Sequence, residues 1–187
     1  MNGAHVAEKR SSDLTPDERR QFEQATMPHL DAAYNLARWL TKDQHNAEDV
    51  VQEAYYRAAR YFGSFRGGDG RAWLLSVVRR AAFDWLRKQK SKLVVVFNED
   101  VHDRGDEASN PELLAIQKCD QALVRQALEE LPPQLREAIV LRELEGLSYQ
   151  QIATVIEIPM GTVMSRIARG RQQLQVWLAA HSEGEVI

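Results

Sequence analysis

The stretch LSYQQIATVIEIPMGTVMSRIARGRQQL, residues 147–174, decides how this chain is read. Its apolar positions form two helical runs separated by a turn. Ile152, Ala153 and Ile156 share one side of the first run. Ile158-Pro159 ends it, and Gly161 is the residue expected to permit the abrupt turn. After Thr162, the positions Val163, Ile167, Leu174, Trp177 and Leu178 recur at mainly helical spacing, which leaves Arg166, Arg169 and Arg171 on the more polar side. Two short helices in this relation make a helix-turn-helix, whose second helix can enter the major groove of DNA. Arginines there reach phosphates or guanine edges, and Thr162 and Ser165 are short donors suited to close approach. A packed helical hairpin with a solvated arginine face has the same pattern, so this segment alone leaves both readings open.

Helical periodicity also dominates upstream. Phe22, Leu30, Ala33, Tyr34 and Ala37 predict a first amphipathic helix, restarted or kinked at Pro28. Ala47, Val50, Val51, Ala54, Ala58 and Phe62 predict a second, with Glu48 and Asp49 placed in its N-terminal turn, where the helix dipole favours them. Gly63-Ser64 breaks it, and Gly67, Gly68 and Gly70 mark a flexible loop. A third helix is predicted from Arg71 to Gln89, with Trp73, Leu74, Val77, Val78, Ala81 and Trp85 available for packing. The composition then changes. The string Leu93-Val94-Val95-Val96-Phe97 reads as a short strand or a contact segment folded on a neighbouring helix. Between Asn98 and Glu112 six acidic residues face one arginine among Gly105, Ser109, Asn110 and Pro111.

The chain is therefore read as all-α, with helical domains at residues 20–92 and 113–179 joined by a flexible acidic linker at 93–112. In the second block, Pro132-Pro133 makes a break and Pro133 pre-sets the helix carrying Leu135, Ile139, Val140 and Leu144. Gly146 ends that helix and Ser148 caps the next.

Composition narrows the function. The net charge of -3 argues against a general DNA coater and allows a protein whose basic surface is local. Cys119 is the single cysteine, so an internal disulfide and a multi-cysteine zinc site are excluded, and it reads as buried or inert. The five histidines are scattered and form no ligand motif. No phosphate-binding glycine loop, nucleophile elbow or histidine-centred set is present, so no catalytic residues, metal or cofactor are expected. No apolar run reaches bilayer length and the N-terminus is polar, so a cytosolic protein without membrane insertion is expected.

Two further surfaces stand out. Arg79, Arg80, Arg87, Lys88, Lys90 and Lys92 are opposed only by Asp84, and Trp73, Phe83 and Trp85 precede or interleave with them. Such a surface suits separated nucleic-acid strands, although both tryptophans also fit a core. In AEDVVQEAYYRAARYF, Glu48, Asp49 and Glu53, with Gln52 among them, suit a basic protein partner or a solvated helix face.

The order of these features resembles a bacterial RNA polymerase sigma factor of the extracytoplasmic-function group in the sigma-70 family. AEDVVQEAYYRAARYFGSFRG followed by GRAWLLSVVRRAAFDWLRKQ resembles region 2, and LPPQLREAIVLRELEGLSYQQIATVIEIPMGTVMSRIARGRQQL resembles region 4. The resemblance covers about residues 20–91 and 115–178. It implies that Asp49, Gln52 and Glu53 dock on the clamp helices of the polymerase β′ subunit, with the β flap as a second contact. It implies that Gly68, Asp69 and Gly70 lie near a flipped-out base of the -10 promoter element, and that Arg79, Arg80, Arg87 and Lys88 approach promoter DNA. It places Thr162, Ser165, Arg166 and Arg169 on the -35 recognition helix, with Arg171 expected to hold phosphate. Arg80 stands where many relatives carry asparagine and Met164 where many carry a polar or basic residue, so promoter preference is not transferable. An anti-sigma protein is an implied partner, with the chain cytoplasmic, at the nucleoid when bound to polymerase, or near the membrane when held by that protein. The competing readings are a stand-alone helix-turn-helix regulator and a sequestering adaptor that retains the fold.

Overall fold

Short polar residues set the helix starts. In the computed structural model, which describes residues 14–95 and 113–182, Thr15 opens α1 (Pro16–Thr26) through a capping box. Its side chain accepts from the Glu18 N–H, and the Glu18 carboxylate accepts from the Thr15 N–H at 2.9 Å. Pro28 is taken up in one 3-10 turn, Met27–His29. Of the two expected outcomes, restart or kink, the run from Phe22 to Ala37 takes the restart, giving α1 and α2 (Leu30–Thr41). Asp43 caps α3 (Gln44–Arg60), accepting from the Asn46 N–H at 2.8 Å. That start lies a turn ahead of Glu48 and Asp49. Neither belongs to the first turn, and the dipole benefit expected of them falls away.

A 3-10 turn at Phe62–Ser64 and the glycine loop lead into α4 (Gly70–Val95). Helix α4 carries on through Leu93, Val94 and Val95, so the start of the valine string is helical and not extended. A helix already under way gains a hydrogen bond for each residue it adds, while a lone strand has no edge to pair with. The remainder of that string, the acidic residues 98–112 and the tail at 183–187 lie outside the described residues, as does the side chain of Cys119.

The second module comprises α5 (Leu113–Glu130), α6 (Pro133–Ile139), α7 (Tyr149–Ile156) and α8 (Met160–Ser182). A π-helical turn, Val140–Leu144, prolongs α6, and Gly146 ends it at φ +66°. Ser148 caps α7 in a box with Gln151, as expected. The turn between α7 and α8 is made differently from the sequence reading. Glu157 adopts the left-handed conformation at φ 57°, Pro159 supplies the carbonyl that accepts from Thr162 and Val163, and Gly161 lies inside the first turn of α8.

Packing follows from small residues at helical spacing. Ala47, Val50, Ala54 and Ala58 give α3 a narrow buried stripe against α2 and α4, which supply Leu36, Leu40, Leu74, Leu75 and Val78. In the second module Ile139, Ile152, Ile156, Val163 and Ile167 close around α6, α7 and α8. The modules also meet, α4 against α7 and α2 against α6, and their buried apolar side chains form one continuous cluster.

Two glycines mark the closest approaches. A Cβ on Gly70 would lie 2.5 Å from the Ala25 carbonyl oxygen, and one on Gly170 would lie 2.7 Å from Ile139 Cγ1. Gly170→Ala should lower the urea midpoint, because overpacking costs about 1–3 kcal/mol and exceeds the ~1 kcal/mol that alanine gains in a helix. Gly161→Ala meets open space and should instead leave stability unchanged or raise it by up to about 1 kcal/mol, with the midpoint moving accordingly. A Gly170→Ala chain as stable as the parent would mean that α8 does not rest on α6 through this contact.

Candidate polymerase and nucleic-acid interfaces

Helix α3 has one buried and one wet face. Asp49, Gln52 and Glu53, at spacings of three and four residues, share the wet one, and all three are exposed. Arg57 braces this face against α4. Its Nε donates to Glu53 Oε1 at 2.7 Å and its Nη1 to Asp84 Oδ2 at 2.6 Å. The hydrogen bond to Asp84, with that to Glu53, raises the Arg57 pKa, and Arg57 in turn holds the Asp84 carboxyl below its ordinary range. Arg87 pairs with the same Asp84, so one residue of the predicted basic run serves the acid inside it.

Between α3 and α4 lies a cleft of about 380 Å³ lined by Arg57, Tyr61, Ser64, Trp73, Val77 and Arg80. Trp73 belongs to an aromatic cluster, 5.9 Å from Phe62 and 5.0 Å from Phe65 between ring centroids. It packs against the core and also lines the cleft. Trp85 is half-buried and packs on the core. The Arg79 guanidinium lies 4.7 Å from the centre of the Phe83 ring.

The glycine loop ends in a cap. Gly67 and Gly68 take φ values of +82° and +96°, which bring Asp69 to the start of α4. Asp69 Oδ1 accepts from the Ala72 N–H at 3.0 Å and Oδ2 from Gln151 Nε2 at 2.8 Å. The backbone N–H of Ala72 and then the Gln151 amide hold the Asp69 carboxyl below its usual range. Capping was not part of the sequence reading of Asp69, although an Asp three residues before an apolar helical run is its usual sign.

On α8, Thr162, Ser165 and Arg169 are exposed and follow one face, while the Ser165 hydroxyl donates to the Thr162 carbonyl at 2.9 Å. Arg171 is exposed and donates to Glu143 at 2.6 Å. Arg166 turns toward the core, where its Nη1 donates to Glu137 Oε1 at 3.2 Å. Met160 and Met164 are exposed beside these residues.

The structure brings the two sets of arginines to one another. Arg79, from α4, donates to Glu137 through Nε at 2.6 Å and Nη2 at 3.2 Å, so the carboxylate holding Arg166 also holds Arg79. Arg80 pairs with Glu157, and Glu145 accepts from Arg71 at 2.6 Å and from Asn35 at 3.2 Å. Lys88 is exposed, and the α3 face Asp49-Gln52-Glu53 takes no part in this join. Glu137 is fully buried. Burial pushes its carboxyl above the ordinary range, against the pull of Arg79 and Arg166. Sequence reading missed Glu137, Glu145, Glu157 and Gln151. The one available signal was Arg136-Glu137, two charges set into the otherwise apolar run toward Leu141.

Comparison with known proteins agrees with this geometry. Residues 26–92 match the model of Sigma-70 region 2, and residues 121–174 match that of Sigma-70, region 4. The chain is 35% identical over 165 residues to the RNA polymerase sigma-H factor of Pseudomonas aeruginosa, covering 84% of this chain and 86% of that one. It is 37% identical over 168 residues to the ECF RNA polymerase sigma factor SigE of Mycolicibacterium smegmatis, covering 86% of this chain and 65% of the relative. Among solved structures, the sigma factor RpoE from Bartonella quintana, in complex with the anti-sigma factor NepR, matches with a TM-score of 0.68 and 28% identity over 87% of this chain and 99% of that one. Among the described residues no helix is long and apolar enough to cross a membrane. With both regions present in order and the similarity running through both, the chain belongs to the extracytoplasmic-function group of the sigma-70 family: it is a sigma factor, a non-catalytic subunit that directs RNA polymerase to promoters.

Proposed function

We propose that this sigma factor docks on core RNA polymerase through the α3 face Asp49-Gln52-Glu53, engages the -10 element with α4 and its preceding loop, and reads the -35 element with α8. The observation that carries the -10 reading is the cleft of about 380 Å³ between α3 and α4, lined by the aromatic Trp73 and Tyr61 and by Arg80, with Arg57 held at its wall by Glu53 and Asp84. An unstacked base needs this combination of an aromatic wall and cationic neutralisation. The loop Gly68-Asp69-Gly70 borders the same region, and Arg79, Arg80, Arg87 and Lys88 continue along α4 from it. Arg80 in the cleft adds a fixed charge and a planar donor fork to this chain's promoter preference.

The acidic face of α3 suits a basic surface on the polymerase β′ clamp helices, and the second module suits the β flap. On α8, the exposed Thr162, Ser165 and Arg169 are the base-reading set, joined by Arg166 through the N–H groups that Glu137 does not take, while Arg171 holds phosphate. An anti-sigma protein is a further partner, a reading supported by the Bartonella quintana relative solved with one. The chain then works in the cytoplasm, at the nucleoid when bound to polymerase, and near the membrane if its anti-sigma partner is anchored there.

Reconstitution with core polymerase and mapping of transcript 5′ ends across genomic DNA tests the whole assignment. Initiation should concentrate at a narrow promoter set, and a pattern no different from core polymerase alone would sink it. In the same system Asp49→Ala/Glu53→Ala should weaken core binding while helical content is retained, since both side chains are exposed and neither supports the core. Unchanged affinity in a direct titration would return these residues to a solvated face.

The two arginines of α8 separate by readout. Arg169→Ala should cost roughly 1–3 kcal/mol of discrimination between matched and scrambled -35 duplexes, whereas Arg171→Ala should weaken both about equally. Equal loss on both duplexes for Arg169→Ala would reassign it to phosphate.

A further inference from the structure

A line of alternating charges crosses the first module, from the face proposed for polymerase to the helix proposed for DNA. It runs Glu53, Arg57, Asp84, Arg87. Arg57 Nε donates to Glu53 Oε1 at 2.7 Å and its Nη1 to Asp84 Oδ2 at 2.6 Å, while the other oxygen of Asp84, Oδ1, accepts from Arg87 Nη2. Side-chain exposure is 28% and 32% at Arg57 and Asp84 but 51% and 78% at Glu53 and Arg87, so the two ends are open to outside charges and the middle is sheltered. Asp84 is the only acid between Arg79 and Lys92, and it faces one arginine from each helix.

Each central group is shared between two neighbours. A guanidinium that loses one carboxylate turns more fully to the other, and a carboxylate with a firmer partner loosens its hold on the second. When a basic group of the polymerase takes the Glu53 carboxylate, Arg57 keeps Asp84 as its acidic partner in this line. Asp84 is then better neutralised, and Arg87 is freed for a phosphate. Linkage makes the effect reciprocal: a phosphate on Arg87 leaves Asp84 to Arg57 and loosens Glu53 for the polymerase. The outer pairs are exposed and individually weak, which lets an outside charge compete with them. The pairs Glu53–Arg57 and Asp84–Arg87 are each local to one helix, and the contact between Arg57 and Asp84 joins them into one path.

We propose that Asp84 is a positioning residue for promoter binding: it holds Arg87 in reserve in the free chain, and docking of Glu53 on polymerase releases Arg87 to DNA through Arg57. The relay rests on the polymerase reading of Glu53 and the DNA reading of Arg87 given above. It lies wholly within α3 and α4 and needs no motion of the second module.

The test compares the parent, Arg87→Gln, Asp84→Asn and Asp84→Asn/Arg87→Gln, each as the free full chain and as holoenzyme at saturating core polymerase. Binding of a labelled single strand of mixed sequence is read by fluorescence anisotropy at one low salt concentration. Asparagine keeps a carbonyl oxygen for Arg57 at this surface site, and helical content checks the fold. In the parent, loss of Arg87 should cost the holoenzyme about threefold more affinity than it costs the free chain, the scale of one exposed ion pair. In the Asp84→Asn background the two losses should be equal. Glu53→Gln imitates docking by removing the charge. It should tighten free-chain binding about twofold beyond Glu48→Gln, an equal charge removed from the same helix outside the line, and the excess should vanish in the Asp84→Asn background. Equal, measurable losses for Arg87→Gln in both states of the parent overturn the relay and leave the DNA assignment of Arg87 standing. An excess for Glu53→Gln that survives Asp84→Asn does the same. No loss for Arg87→Gln in the holoenzyme overturns that assignment and the relay with it. A free Asp84→Asn chain that binds the strand less tightly than the parent makes Asp84 a structural prop and also overturns the proposal.

Discussion

Adjacent buried charges at Arg136 and Glu137 organise the meeting of the two modules. Arg136 donates to the carbonyls of Leu128, Glu129 and Leu131 around the end of α5, and to the Trp39 carbonyl near the end of α2. Desolvation lowers its pKa, yet the charge stays because four carbonyl oxygens surround it. One residue on, Glu137 points to the other side and gathers Arg79 and Arg166. Two neighbours in sequence thus reach α2, α4, α5 and α8 at once. Apolar residues of the same volume could fill these positions, but they would not specify which helix ends meet or in what register.

Module geometry and proposed function are tied through α4. Its buried side, Leu74, Leu75, Val78, Ala81 and Ala82, is held by α2 and α3, and this fixes the direction in which Trp73, Arg79 and Arg80 project. Arg57 adds a polar brace from α3 to Asp84, linking the face proposed to meet polymerase to the helix proposed to meet DNA. A shift of α3 is therefore transmitted to α4 through a short ion-paired path as well as through the core.

Chemistry at the join also accounts for the overall charge. A chain at -3 has more acid than base, and three of its carboxylates, the buried Glu137 and Glu145 and the exposed Glu157, are set against arginines of the partner module. The basic surfaces are consequently less basic in this arrangement than the sequence makes them. Charge complementarity within one chain has the same physical basis as complementarity between partners, and it responds to salt and to competing anions in the same way.

Helix content, the cap at Ser148 and the polar face of α8 depend on residues within a turn or two of each other, and the sequence by itself determined them; the caps at Thr15 and Asp43 rest on equally local signals but were not read from it. Local hydrogen bonds and helical periodicity act over that range. Where short-range signals competed, the reading slipped: Glu157 and not Gly161 makes the turn, and the valine string begins inside α4. The tertiary structure alone decided that Arg79 meets a carboxylate 58 residues away, that Arg166 meets the same one 29 residues away, and that Asp69 both caps α4 and touches α7. No pattern of spacing encodes such pairs. They exist because packing brings distant helices to one place, where a buried charge must find whatever partner is within reach.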